Sequence, residues 1–448
     1  MAISGCGSRI TVIGAGVSGL STAMFAADNG YHVFLSDQGL INCEDKAKAE
    51  AKGVLWEEGG HTDKAWATDL VVLSSGIAPH STPVQEAIRR GLPIIGEIDF
   101  VSPWLSAKLI GVTGSNGKTT TTALLAHLLK EAGFMAEAAG NIGAPLGSFV
   151  GRDLDYLIVE LSSFQLHWAQ ETRLVGALLT NMAPDHIDWH GSYEAYQQSK
   201  LKIFNLLVRG GWGILQKRDR GFVSGIHGRQ FHYLTWQTES ADPGDITIDS
   251  QDIAWNINAN KYSVAHNGLS ILGRHNIENA AMAIVAAVSI GVAPDQLING
   301  LKSFAPLPHR CEVIAMKKGI LFVNDSKGTN VAAAVTALAS LEGSKIILLG
   351  GKGKGEDYAP LVEALKRYAK KAVLYGEEGP ALAEAIRSSG LEEDFFSIHL
   401  TLSDAFEQAT MLADKGDMIL LSPACTSWDQ YKSYKDRGVH FQKLVEAF

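Results

Sequence analysis

The chain has 448 residues, enough at about 150 residues per domain for three domains with a core in each. Its 46% hydrophobic and 19% charged residues exclude disordered, collagen-like and coiled-coil classes. Lys and Arg number 39 against 48 Asp and Glu, a formal charge of −9, which argues against a protein built to grip nucleic acid or an anionic membrane and favours a small ligand. The 46 glycines point to many tight strand-to-helix turns, as in phosphate-binding loops. Cys6, Cys43, Cys311 and Cys425 form no CxxC pair, so neither a zinc knuckle nor a disulfide framework is expected, and a reducing cytoplasm fits. The start MAISGCGSRITVIGAG lacks a basic region followed by an apolar core, so no signal peptide is expected. The apolar stretch from Ala280 to Ala293 is broken by Ser289 and Gly291 and falls short of the ~20 residues that cross a bilayer. A cytoplasmic monomer acting on small molecules, with neither nucleic acid nor membrane as partner, is the expectation.

Along the chain, β-rich runs that end in glycine or small polar residues are each followed by a helical pattern: RITVIG, HVFLSD, LVVLSSG, KLIGVTG, DYLIVELSS, KIILLGG, KAVLYG and DMILLSPA. That alternation is the signature of parallel βαβ construction, and the fold class is α/β. Three domains are expected. Residues 1–104 form a Rossmann-like domain ending in the linker Ser102-Pro103-Trp104. Residues 105–306 form a P-loop ATPase domain, in which 210–272 change to short alternating strands (FHYLTW, DITID, IAWNI, KYSVAH, LSIL) read as a small antiparallel sheet beside the α/β core. Residues 307–448, after the two-proline segment Phe304 to Arg310, form a second Rossmann-like domain.

In the first domain, Gly14-Ala-Gly16-Val-Ser-Gly19 follows a strand and opens a helix, with Asp37 ending the next strand at a distance suited to a ribose contact. Such a helix start favours a diphosphate, although a glycine turn also serves simply to pack helix on strand. In the second domain, Thr113-Gly-Ser-Asn-Gly117-Lys118-Thr119 lies between strand and helix as a P-loop does, with its first glycine displaced to Gly111. Backbone N–H groups from Gly114 to Lys118 can cradle phosphates, Lys118 can neutralise charge at the γ-phosphoryl, and the Thr119 hydroxyl can hold Mg²⁺. Glu160 ends the strand DYLIVE, where a further Mg²⁺ ligand is wanted, and the loop Thr180 to His190 is dense in metal-capable groups. On the helix from Ser192, an apolar stripe through Tyr193, Tyr196, Ile203 and Leu207 includes Lys200 but not Lys202. A lysine there either snorkels or works in the site.

These residues resemble the Mur ligase family, ATP-dependent amide ligases of bacterial cell-wall synthesis, and within it the D-glutamate-adding branch. The resemblance runs through TGSNGKTT (113–120), GNIG (140–143), ELSSFQL (160–166), NMAPDHID (181–188), SKLKIF (199–204), GRHNIENA (273–280), LPHRCE (307–312), NDSKGTN (324–330) and LLSPACTSWDQY (420–431). It implies ATP-driven addition of D-glutamate to UDP-N-acetylmuramoyl-L-alanine. Ser18, Asp37, Ser75, Gly76 and Asn141 would lie near the UDP-sugar. ATP would meet Gly114, Ser115, Asn116, Gly117, Lys118, Thr119 and Thr120, with Asn276 and Asn279 on the adenine side and His309, Arg310, Asp325 and Lys327 contributed by the last domain. Of two Mg²⁺ ions, one would be held by Thr119 and Glu160 and the other by His186 and a carbamylated Lys200. Lys118, His186 and Lys200 would be catalytic, and Thr329, Lys354, Ser427 and Tyr434 would hold D-glutamate. The sequence departs from the family pattern at Trp189, Lys352 and Tyr434, where a polar or basic residue, an acidic residue and an aromatic without a hydroxyl would be expected. Another Mur or folylpolyglutamate-type amide ligase remains the near alternative. An NAD or flavin oxidoreductase would explain only the first glycine turn, and a P-loop switch or motor only the second.

Overall fold

The computed structural model describes residues 7–238, 245–257, 260–266, 273–305 and 307–448. Cys6, Pro306 and the expected strand LSIL (269–272) lie outside the described residues. In the first sheet, β1 (Arg9–Ile13), β2 (His32–Ser36), β3 (Leu55–Glu57), β4 (Leu70–Leu73) and β5 (Ile94–Gly96) run parallel in the order β3-β2-β1-β4-β5. Every residue of β4 is buried, as a parallel strand covered on both faces requires. Gly19 in the first turn of the helix Val17–Asp28 packs so closely that a Cβ there would collide with the Gly14 carbonyl.

The second sheet has nine strands: β6 (Lys108–Thr113), β7 (Ala136–Gly140), β8 (Tyr156–Glu160), β9 (Leu174–Leu179), β10 (Leu207–Gln216), β11 (Gln230–Trp236), β12 (Ile246–Ile248), β13 (Asp252–Ile257) and β14 (Asn260–Ala265). Their order is β14-β13-β12-β11-β10-β9-β6-β8-β7, so the loops after β6, β8 and β9 emerge side by side. The short alternating strands do not make a separate sheet. FHYLTW and the following strand join β10 in parallel, and only the β12-β13 and β13-β14 pairs are antiparallel. Alternation reports a half-buried face, not strand direction, and the turns at Lys217–Val223 bring the chain back for a parallel pairing.

The third sheet comprises β15 (Glu312–Lys317), β16 (Ile320–Asn324), β17 (Lys345–Gly350), β18 (Lys371–Tyr375), β19 (Phe396–His399) and β20 (Met418–Ala424) in the order β15-β16-β20-β17-β18-β19. Only β15 is antiparallel. The chain forms two compact units: the first two sheets share one with Asn279–Leu301, and residues 302–448 form the other together with the start of the helix Arg274–Ile290. Ser102–Trp104 is a single 3-10 turn between sheets that share one unit. Buried Asp99 fastens that junction, accepting the backbone N–H groups of Gln170, Glu171 and Thr172 at 2.6, 3.1 and 2.9 Å and the Thr172 hydroxyl at 2.7 Å. Among the described residues no helix is long and apolar enough to cross a membrane.

Candidate active site

The loop after β6 turns through Gly114 (φ 145°) and Gly117 (φ 83°) into the helix Lys118–Glu131. A Cβ at Gly117 would collide with the Asn279 side chain, which places Asn279 directly against the loop. The loop after β9 braces it: Ser115 N donates to Asn181 O at 3.0 Å, Asn116 N to Asn181 Oδ1 at 2.9 Å, and Thr180 Oγ1 to Asn116 O at 2.5 Å. Ser115 Oγ is in turn 2.8 Å from the Tyr196 hydroxyl. Two lysines meet at one acceptor here. Lys118 Nζ donates to Gly114 O at 2.8 Å and to Ser115 O at 2.9 Å, while Lys200 Nζ donates to the same Gly114 O at 2.8 Å. Two amine nitrogens thus share one backbone carbonyl beside the loop where a phosphoryl group is wanted.

The helix Tyr193–Asn205 buries Tyr196, Ser199, Lys200, Ile203 and Phe204. Leu207 is not on this helix; it begins β10, because the helix ends at Asn205. Lys200 is only 2% exposed, and its Nζ lies 4.8 Å from the centre of the Tyr196 ring. Burial holds its ammonium well below the ordinary lysine range, with the Lys118 charge adding to the effect and Asp185 and Glu160 opposing it. Lys202 points elsewhere, donating to His167 O.

Glu160 is 2% exposed at the end of β8. Its Oε1 accepts from Asn141 Nδ2 at 3.3 Å, and among the described residues its Oε2 has no hydrogen-bond partner. A buried carboxylate oxygen left open is costly unless something positive completes it, so this donor set fits a hard divalent cation. Among the described residues no three His, Cys, Asp or Glu side chains converge, so a cation here would draw on other oxygens, such as the Thr119 hydroxyl. His186 adopts φ 51° at the start of the short helix Ile187–His190, its Nε2 3.5 Å from Asp185 Oδ2 and its ring 4.7 Å from Phe164. Trp189 packs with its ring 4.6 Å from Phe164, tilted by 35°, and donates from Nε1 to Gly76 O at 3.2 Å. The indole at this departure position therefore ties the His186 loop to the first sheet.

A cavity of about 430 Å³ opens beside the first glycine turn and is lined by Gly16, Ser18, Ser75, Gly76, Glu97, Asn141 and Gln165, among others. It brings together four of the five residues expected near the UDP-sugar. The fifth, Asp37, is not among the lining residues; its carboxylate accepts Ala15 N at 2.5 Å and Gly39 N at 2.7 Å and so shapes the turn from behind.

In the second unit, Asp325 is buried and accepts from Ser422 Oγ at 2.7 Å; desolvation pushes its pKa up to about 6. His309 lies 3.0 Å from Asn324 Nδ2, Lys327 N donates to its carbonyl, and Lys327 Nζ sits 4.2 Å over the Tyr434 ring. Fully buried Arg437, on the helix Tyr434–Ala447, draws the strand ends together by donating to the carbonyls of Ser326, Gly350, Cys425 and Thr426. These are the loops that carry Lys327, Thr329, Lys354 and Ser427. Arg437→Met is expected to destabilise the second unit by about 3–5 kcal/mol, because it strands several buried acceptors at once. A urea transition of the full chain followed by a probe in this unit measures it.

The MurD N-terminal domain family matches residues 9–83, the Mur ligase middle domain 112–287 and the Mur ligase glutamate ligase domain 309–425. The UDP-N-acetylmuramoylalanine–D-glutamate ligase of Pelotomaculum thermopropionicum is 34% identical over 447 residues, 98% of this chain and 97% of its own. That of Bacteroides fragilis is 35% identical over 443 residues, 98% and 99% of the two chains. The chain belongs to the Mur ligase family. Its fold is that of a UDP-N-acetylmuramate–alanine ligase of Thermotoga maritima (TM-score 0.60, 18% identity, 98% of this chain and 99% of that one). A MurF ligase of the same organism, in complex with ADP, also shares it (TM-score 0.61, 17% identity, 93% and 95%).

For this Mur ligase, the P-loop residues, Asn279, Glu160, Lys200 and the loop bearing His186 fall in the first unit, while His309, Arg310, Asp325, Lys327, Thr329, Lys354, Ser427, Tyr434 and Asn276 fall in the second. Sequence reasoning missed Thr180, Asn181 and Tyr196 as braces of the P-loop, and Glu97 and Arg437 altogether. Thr180 and Asn181 lie in the loop singled out from sequence and Tyr196 on the apolar stripe beside Lys200, whereas Glu97 and Arg437 carried no signal.

Proposed function

We propose that this protein is an ATP-dependent ligase that joins D-glutamate to UDP-N-acetylmuramoyl-L-alanine in peptidoglycan precursor synthesis, acting as a monomer in the cytoplasm. The observation that carries the reading is the placement of Asn141: it lines the cavity beside the first glycine turn and donates to Glu160 next to the P-loop. One substrate can therefore rest its diphosphate on the turn and present its far carboxylate to the phosphoryl-transfer centre. On this reading residues 1–104 bind the UDP-sugar, 105–306 bind ATP, and 307–448 supply the amino-acid site.

The carboxylate oxygen attacks the γ-phosphorus of ATP, the bond to the β-phosphate oxygen breaks, and ADP leaves an acyl phosphate. The D-glutamate amine, having lost a proton, adds to the acyl carbon, the nitrogen then gives up a second proton, and the C–O bond breaks to release phosphate as the amide forms. Activation is needed because a carboxylate is a poor electrophile with a poor leaving group. Lys118 and the N–H groups of the loop stabilise charge on the transferring phosphoryl group. Thr119, Glu160, His186 and a carbamylated Lys200 would hold Mg²⁺, which supplies further neutralisation of phosphate charge. Thr329, Lys354, Ser427 and Tyr434 would receive the carboxylates of D-glutamate. Phosphate release with ATP and UDP-N-acetylmuramoyl-L-alanine, compared across D-glutamate, L-glutamate, L-alanine and a diamino acid, tests the assignment. Release dependent on D-glutamate is expected, and equal release with another amino acid would overturn it.

A further inference from the structure

Among the described residues, Glu97 is the only charged side chain lining the 430 Å³ cavity. It opens the short helix Glu97–Val101 and is 7% exposed. Its Oε1 accepts from Gln165 Nε2 at 3.2 Å, and the Ser18 hydroxyl and the Ser75 backbone N–H also approach the carboxylate. The rest of the lining is apolar or neutral and polar, with Ser18, Ser75, Asn141 and Gln165 as donors and no lysine or arginine. A dianionic diphosphate placed here would thus meet an anion rather than a cation. Carboxylate and phosphate oxygens are both acceptors, so contact between them requires a proton.

The surroundings favour that proton. Burial raises the Glu97 pKa, against the Ser18 hydroxyl, the Gln165 amide and the Ser75 backbone N–H, which favour the anion. The helix Glu97–Val101 packs on the helix Val17–Asp28, β4, β5, the turns Ser102–Trp104 and Leu146–Phe149, and the helix Ser163–Trp168. The titratable groups of these elements are Asp28, paired with Lys52 at 2.7 Å, and His167, which burial lowers to about 4 and so keeps neutral near pH 7. Asp99 of its own helix is taken up by residues 170–172. None of them offers Glu97 a cation.

We propose that Glu97 binds the substrate as a neutral carboxylic acid, donating its proton in a hydrogen bond to an oxygen of the nucleotide diphosphate, so that binding takes up a proton from solvent. The proposal rests on the reading that this cavity holds the UDP moiety. It makes Glu97 a device for selecting a neutralised diphosphate contact without a cation.

Calorimetry of the full chain with UDP-N-acetylmuramoyl-L-alanine, in buffers of differing ionisation enthalpy between about pH 6.5 and 8.5, reads the proton directly, because this ligand has no group that titrates near neutrality. Net proton uptake is expected, with affinity falling by up to about tenfold per pH unit above the free-state pKa. Glu97→Gln, whose amide donates without titrating, is expected to lose both the uptake and the pH dependence while binding no weaker than wild type near pH 7. Wild-type binding without proton uptake overturns the proposal, as does Glu97→Gln that retains the uptake or binds more than about tenfold weaker, the mark of a carboxylate accepting from a sugar hydroxyl. The wild-type measurement stands even if the variant fails to fold. Wild-type protein that does not bind the ligand at all overturns the cavity assignment itself, and the proposal with it.

Discussion

Lys118→Ala is expected to lower ADP formation by at least about 10²-fold while leaving the fold intact, because it removes a cation from the phosphoryl centre and no part of the core. The side chain is half-buried at the first turn of its helix, and its Nζ contacts are to Gly114 O and Ser115 O, carbonyls of the loop itself. Alanine is a good helix former at that position, so the helix Lys118–Glu131 should persist. Glu160→Ala tests the other side of the centre. It removes the carboxylate whose Oε2 is left open, and it is expected to abolish acyl-phosphate formation at ordinary Mg²⁺ concentrations. Circular dichroism establishes that each variant folds, and trapping the acyl phosphate as a hydroxamate reads the step. A folded variant of either kind with wild-type ADP release would remove the P-loop from the mechanism. The two should also differ in kind: raising Mg²⁺ is expected to recover part of the activity of Glu160→Ala and none of that of Lys118→Ala, since only the former loses a ligand.

What could be read from residues alone follows from how each feature is encoded. β1, β4, β6, β17 and β20 are parallel strands covered on both faces, so they appear as mostly apolar runs, and the turn after each must be small. The P-loop is likewise local, a backbone shape that only a few residues allow. By contrast, the parallel entry of β11 depends on where the chain returns after Val223, which no window of residues contains. Asp99, Glu97 and Arg437 are single charged residues in helices, where solvated side chains are the ordinary case. Their importance comes from burial against segments distant in the chain, as with Asp99 and Thr172, Glu97 and Gln165, or Arg437 and Ser326. Lys200 stands between these cases. The helix period placed it on the buried face beside Tyr196 and Ile203, but only the fold brings it under the P-loop to share Gly114 O with Lys118.

That shared carbonyl makes Lys200 the second residue with a large expected effect. A buried ammonium beside another ammonium is unfavourable on two counts, and both favour the neutral amine. A neutral amine can capture CO₂ as a carbamate, which replaces the cation by an anion with two hard oxygens suited to Mg²⁺. Sign matters for the pH dependence: the folded-state pKa is depressed, so lowering the pH through it forces a charge into the buried site. Activity and carbamate should both fall on the acid side. Lys200→Ala is expected to lose at least about 10²-fold in turnover, and small carboxylates such as acetate are expected to restore part of it by occupying the vacated oxygen position. Lys202→Ala, whose Nζ donates to the His167 carbonyl rather than the P-loop, is expected to remain active. Turnover measured in CO₂-depleted buffer with and without added bicarbonate separates the carbamate from the bare amine. Wild-type rates from Lys200→Ala under CO₂ depletion would leave Lys200 as a structural donor to Gly114 O and nothing more.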